Sequence, residues 1–383
     1  MTLAPGDNVV WVKTKSGDLV ALPAVSPNTA GNKCLFIKDV TGKTCAIKLS
    51  AISPGDKVLF FPDKSGHSIA VKCGGIAPNP PDSWALFYEF AVHGGTIMEM
   101  EPHGDHLFWG MYDDPVYSYK PGEGFTPVVD YGAAGPYHWS LKSASDGYLY
   151  YSYGYASGVN CGIARSATGT SSWVQVHDTG SGWRMVRSIQ EHGGNLYAAL
   201  HDYTGAGHTE ILKSSDGATW NTIYTSADNK YFMGLRSFGA YLYAQIYQGT
   251  SNELWRSTNG AVWSLASTTV DLMIGSFGSY AYGVGDVLGS YTKLYRSSNG
   301  TVWTEVQDLG IKTPYCFCEH EGLLFIGAGA LPEIWCSEDN GATWVKVYEP
   351  TTYYSNNFLD IGVYNNRIWG ATETALYRSA EIK

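Results

Sequence analysis

Short apolar runs alternate with polar, glycine-bearing turns along this chain, and beyond residue 100 they recur as one unit. In Leu254-Trp255-Arg256-Ser257-Thr258-Asn259-Gly260-Ala261-Val262-Trp263 a strand-forming run leads through Ser, Asn and Gly to an aromatic residue. Ile211 to Trp220 and Leu294 to Trp303 repeat the pattern, and Ile334 to Trp344 repeats it with one extra residue in the turn. Weaker copies run from Ile163 to Trp173 and from Val116 to Phe125, and Leu376-Tyr377-Arg378-Ser379 ends the chain as a half copy. The pattern predicts a strand, a tight turn and a second strand. Ser and Asp or Asn side chains can bond nearby amides, and Gly tolerates positive φ.

A second signature precedes each turn. Leu-aromatic or similar pairs stand at Leu107-Phe108, Leu149-Tyr150, Leu196-Tyr197, Leu242-Tyr243, Ala281-Tyr282, Leu324-Phe325 and Ile368-Trp369, spaced 39 to 47 residues apart. That spacing suits a four-stranded propeller blade. The turns resemble Asp-box (BNR) repeats of sialidase-like β-propellers: Ser337, Asp339, Gly341, Thr343 and Trp344 match the family pattern in full. Ser214, Asp216, Trp220, Ser257, Asn259, Trp263, Ser297, Asn299 and Trp303 match in shorter turns, two of them with Asn for Asp. The resemblance implies an all-β, seven-bladed propeller in which these residues are turn devices at the rim, remote from any ligand.

The first 75 residues repeat separately, as three hairpins beginning near Gly6, Gly31 and Gly55. The expected organisation is a small hairpin-repeat domain over 1–75 with an adaptor or docking role, a Pro-rich linker over 76–82, and the propeller over 83–383. The last blade lacks an outer strand, and 83–91 is expected to supply it. In the middle hairpin a turn on Val40-Thr41 would bring Cys34 and Cys45 opposite, or nearly so, allowing a disulfide.

Composition narrows the function. Charged residues make up 16% of the chain, against roughly 25% usually, while 45 glycines and 14% aromatic residues favour strands and turns. With a net charge of −10 and no basic stripe, nucleic acid is not an expected partner. No apolar run approaches the roughly 18 residues of a membrane span. The first residues carry neither a basic nor an apolar stretch, so a secretion signal is not expected. Seven cysteines show no CxxC spacing.

Propellers bind ligands where the inner strands open onto the channel. The candidates there are Tyr137, Trp183, Arg184, Tyr231, Arg236, Asp271, Tyr315 and Phe358, whose aromatic members suit sugar faces or else plug the channel. The sialidase resemblance does not extend to catalysis, because no arginine occurs before Arg165 and most of the others (Arg165, Arg256, Arg296, Arg378) adjoin the turns. Glu99, Glu101, Asp113, Asp114, Asp271, Glu319, Glu321 and Asp360 are candidate carboxylates for glycan hydrolysis, with no pair distinguished by spacing. Cys316-Phe317-Cys318 with His320 reads as alternating strand residues rather than a metal site, and the run from His201 to His208 as a loop. No metal or cofactor is expected. The leading reading is a non-enzymatic binding or structural propeller with a glycan or protein partner at a virion or extracellular surface. A glycoside hydrolase and an assembly-factor scaffold are the alternatives.

Overall fold

The computed structural model describes residues 83–89, 97–111, 114–129, 138–154, 160–181, 184–203, 207–227, 230–247, 252–285, 293–310, 313–329, 332–350, 357–373 and 375–382, together with the backbone of six strands between residues 9 and 72. All regular structure among them is β-strand. The chain forms two compact units, Met1–Asn79 and Pro80–Lys383.

The first unit contains three antiparallel hairpins, Val9–Lys13 with Leu19–Pro23, Cys34–Lys38 with Thr44–Lys48, and Val58–Pro62 with Ser68–Lys72. Their registers correct one expectation. Cys34 stands opposite Lys48 and Cys45 opposite Ile37. The two cysteines are three positions out of step, and a cross-strand disulfide has no basis in the ladder.

The second unit is a ring of seven four-stranded antiparallel sheets, a seven-bladed β-propeller. The innermost strands of blades 1 to 7 are Ile97–His103, His138–Ser143, Arg184–His192, Tyr231–Phe238, Leu272–Phe277, Pro314–His320 and Phe358–Tyr364. In six blades the chain then steps outward strand by strand. In blade 7 the outer position is taken by Trp84–Glu89, which pairs with Ala375–Ser379 in the register Ala375↔Glu89 to Ser379↔Trp84.

The Leu-aromatic pairs lie on the second strand of each blade, and successive side chains of a strand point to opposite faces. Leu242 therefore packs with Phe232, Leu235 and Trp263 on one side of blade 4, and Tyr243 with Val270, Met273 and Ala281 on the other. The same division separates Leu196 from Tyr197, Leu324 from Phe325 and Ile368 from Trp369. Each pair thus fills two consecutive seams between blades. At about 1.5–3 kcal/mol for each large apolar side chain removed from water, these seams supply much of the ring's cohesion. Burial falls outward as expected of a ring: Leu323–Ala328 is buried throughout, while Val345–Tyr348 exposes its first two residues.

The turns between third and fourth strands have one repeated chemistry. Ser257, Ser297 and Ser337 each accept the amide of the turn glycine at 2.8 Å through their hydroxyl oxygen. Asp216 accepts the amides of Ala218 and Thr219 at 2.9 and 2.7 Å, Asn259 and Asn299 do the same for their turns, and Asp339 takes Thr343. These amides hold the Asp216 carboxyl down at about 2. Trp263 and Trp344 are buried and donate their indole N–H to the carbonyls of Gly260 and Gly341; Trp220 is buried as well, and Trp303 half-buried.

Each turn also meets the preceding blade. The glycines 169, 217, 260, 300 and 341, all at positive φ, lie against Phe108, Tyr150, Tyr197, Tyr243 and Tyr282, the aromatic members of the pairs one blade earlier. Tyr282 Oη and Arg296 donate to the Asn340 carbonyl at 2.9 and 2.8 Å, and Arg165 donates to the Asp216 carbonyl at 3.0 Å. Arg165, Arg256 and Arg296 stack on Tyr148, Tyr241 and Tyr280 of their own blades. These arginines serve the seams, not the channel.

Candidate binding channel

Every inner strand carries a bulge, one residue beyond its start or a little later, for example between Val186 and Ser188 and between Phe358 and Asp360. The extra residue re-aims the strand, and the next position reaches toward the following blade. In six blades that position holds Glu99, Ser188, Gly234, Gly275, Cys316 and Asp360, and in blade 2 Ser140, inside the shifted segment between His138 and Leu141, takes the same part. Four of them form a belt of side-chain acceptors. Asp360 takes the Met100 amide of blade 1 at 2.5 Å, Glu99 the Leu141 amide of blade 2 at 2.8 Å, Ser140 the Ile189 amide of blade 3 and Ser188 the Leu235 amide of blade 4, both at 3.1 Å. The belt stops at Gly234, which has no side chain.

Inside the belt lies a cavity of about 490 Å³ touched by all seven inner strands. Its polar wall comprises Glu99, Glu101, Glu319 and Asp360 facing Lys142, Arg187 and Arg236. Lys142 pairs with Glu101 at 3.0 Å, and the same carboxylate accepts the Ser143 amide at 2.8 Å. Burial pushes the Glu99 carboxyl up to about 7, against the pull of Arg236 and with the added push of Glu101. Burial and the Glu99 charge push Asp360 up to about 8, opposed by the Met100 and Ile361 amides.

This pair sets an expected pH response. A carboxyl with a raised folded pKa binds its proton more tightly when folded, so its contribution is full at low pH and is lost as pH rises through 7 to 8. Buried His201 acts oppositely, since burial pushes its imidazole down to about 4, but that effect is complete by about pH 6.5. The melting temperature should therefore fall between about pH 6.5 and 8, and Asp360→Asn should flatten the slope. A wild-type profile that is level or rising across this window would contradict the assignment.

The structure separates the residues singled out from sequence. Arg236 and Tyr315 line the cavity, and Tyr315 is 38% exposed. Arg184 does not reach it: the guanidinium pairs with buried Asp202 at 2.6 Å and donates to the Thr179 carbonyl at 3.0 Å. Tyr231 stacks on Tyr203 with centroids 5.3 Å apart, and Asp271 is buried. Phe358 corrects the expectation of an aromatic rim, because it is fully buried between blades 6 and 7 with Phe325, Ile361 and Tyr377. It precedes the bulge and so points into the seam, where Gly327 and Gly370 leave room for its ring. Tyr137 and Trp183 lie outside the described residues, as does Asp113.

His201 is not in a loop; it belongs to the strand Asn195–Asp202. One ring nitrogen meets the Phe232 carbonyl at 2.9 Å, so Nε2 carries the proton and Nδ1 accepts from the Tyr203 hydroxyl at 3.0 Å. Cys316 and Cys318 line the cavity, but burial pushes both thiols well above their ordinary range. No cluster of three or more His, Cys, Asp or Glu suited to a metal occurs among the described residues. Sequence reasoning missed Lys142 and the belt serines. The signal for the belt is a fixed offset: Glu99, Ser188, Gly234, Cys316 and Asp360 each stand eight residues before the first member of their blade's pair.

No family model and no curated protein matches the chain. Its fold is shared by solved propellers. The structure of YCF48 bound to D1 peptide superposes with a TM-score of 0.57 at 17% identity, covering 79% of this chain and 97% of that one. YCF48 from Cyanidioschyzon merolae and the WD40 propeller domain of Doa1 each give 0.53 at 12% identity, covering 78% of this chain and 98% of theirs. The class defined by the fold and its channel is thus the seven-bladed β-propeller.

Proposed function

We propose that this chain is a non-catalytic binding propeller that holds a segment of a partner protein at its central channel. The observation that carries this reading is the use made of the channel carboxylates. Glu99, Glu101 and Asp360 all accept main-chain amides of the ring, whereas glycan hydrolysis needs one carboxyl positioned to protonate a leaving group and another to attack or to activate water. The likeness to a propeller that takes a peptide supports the same reading. The Ser, Asp or Asn, Gly and Trp turns support the Asp-box resemblance, and none of their residues lines the cavity. A lectin-like version stacking sugars on aromatic faces has Tyr315 on the cavity wall, and a virion or extracellular setting rests on composition.

The hydrolase remains a second reading because of one observation: two carboxyls with raised pKa values share a cleft, a pattern common at catalytic sites. A tiled peptide array and a glycan array, with a reducing-sugar assay alongside, separate these readings. Retention on peptides without sugar release is the expected result. Sugar release that disappears in Glu99→Gln would establish the hydrolase instead, and retention on glycans alone, without release, would favour the lectin.

A further inference from the structure

Taking the channel as the binding site, we propose that the seam between blades 4 and 5 forms a side arm of the cavity. The arm would seat an apolar side chain of an extended partner segment whose adjoining residues carry carboxylates. The arm exists because of Gly234. At this position blades 7, 1, 2 and 3 send a side chain across to the next blade, and blade 4 sends none. Gly234 pairs with Gln245, which pairs with Leu254. Directly paired residues share a face, so this row looks onto blade 5.

The cavity follows that opening. Around the rest of the ring its walls are inner-strand residues, but at blade 4 it passes the inner strand to reach Tyr243, Gln245 and Leu254. Leu272, Met273 and Ile274 of blade 5 form the opposite wall. A Cβ at Gly234 would meet nothing within 4 Å, which measures the vacant space directly. Gly275 makes a second gap in the belt, but that one is filled: a Cβ there would overlap the Phe317 ring. The floor of the arm is mostly apolar, with the Gln245 amide able to bond a main-chain group.

Charge selects the flanking residues. Arg187 and Arg236 stand on the inner strands of blades 3 and 4, and Arg236 is paired with Tyr243 on the arm's own ladder. Acidic residues beside the seated side chain would meet these guanidiniums, while the wall's carboxylates Glu99, Glu101, Glu319 and Asp360 stand on blades 1, 6 and 7.

The test uses the full chain labelled with ¹³C-methyl methionine and a capped heptapeptide, Gly-Ser-Asp-Leu-Asp-Ser-Gly. The expected result is a dose-dependent shift of the Met233 and Met273 methyl signals, both on the cavity wall. Replacing Leu by Ala in the peptide should weaken binding about fifty-fold, the effect of losing its three outer carbons from an apolar site. Replacing both Asp by Lys should abolish it. Gly234→Leu should fill the arm and remove the shifts with the melting temperature unchanged, Gly234→Ala should weaken them partially, and Arg236→Gln should weaken them without blocking the arm. Absence of the two shifts, or their persistence in Gly234→Leu, would overturn the proposal. Binding reported only by the Met100 methyl would overturn the arm while leaving the channel as a binding site.

Discussion

Deletion of residues 1–91 is expected to leave a fragment that aggregates, whereas deletion of 1–75 should leave a soluble propeller with one cooperative melting transition. The difference is the strand Trp84–Glu89, which completes blade 7 against Ala375–Ser379. Without it the ladder ends in a bare edge, which invites pairing with another chain. The strand also closes two seams. Trp84 stacks on Tyr348 at 5.1 Å, and Phe87 packs edge-on against Trp369 at 4.8 Å and Tyr119 at 5.0 Å. Arg378 lies 4.3 Å over the Phe87 ring. Its removal would therefore uncover aromatic surface as well as hydrogen-bonding groups. Light scattering and thermal denaturation of the two fragments check this, and a soluble, cooperatively melting 92–383 fragment would count against it.

The second large effect is expected at a turn glycine. Gly300→Ala should destabilise the propeller by about 3 kcal/mol, from a left-handed backbone cost of about 1–2 kcal/mol and an overpacking cost of about 1–3 kcal/mol. The overpacking arises because a Cβ at Gly300 would overlap the hydroxyl of Tyr243, itself buried in the seam. Gly239 supplies the control, since it has φ +57 and nothing within 4 Å of an added Cβ. Gly239→Ala should lose the backbone term alone, about 1 kcal/mol. Urea denaturation of both variants measures the difference, and equal losses would show that the turn does not clamp its neighbour.

The propeller and its seven blades were legible because the features that build them are local and repeated. A Leu-aromatic pair must split between two seams wherever a strand is buried on both faces, so Leu196-Tyr197 and Ile368-Trp369 look alike in sequence and behave alike in the ring. The channel was legible only in part. Arg236 and Tyr315 line it, but Phe358, alike in sequence position, turns away because it precedes the bulge while Tyr315 occupies it. A one-residue bulge moves a side chain from channel to seam, and no composition marks it. The acceptor belt escaped notice for a related reason. Glu99, Ser140, Ser188 and Asp360 differ chemically and share only an oxygen within reach of the next blade's amide.

The pairing of Trp84–Glu89 with Ala375–Ser379 has a consequence for synthesis. During translation the propeller's earliest strand emerges first, and its hydrogen-bonding partner follows only after the six intervening blades have been made. For that whole interval the strand lacks its ladder partner and Phe87 lacks Trp369, while blades 1 to 6 can pair their strands as they appear. Closing so long a loop is entropically costly but grows only slowly with length, so the delay is set by elongation rather than by search. At about 5–20 residues per second the waiting strand is available to chaperones, or to a neighbouring nascent chain on the same message, for many seconds. The contact that seals the ring is thus also the one most open to exchange between copies before either is finished.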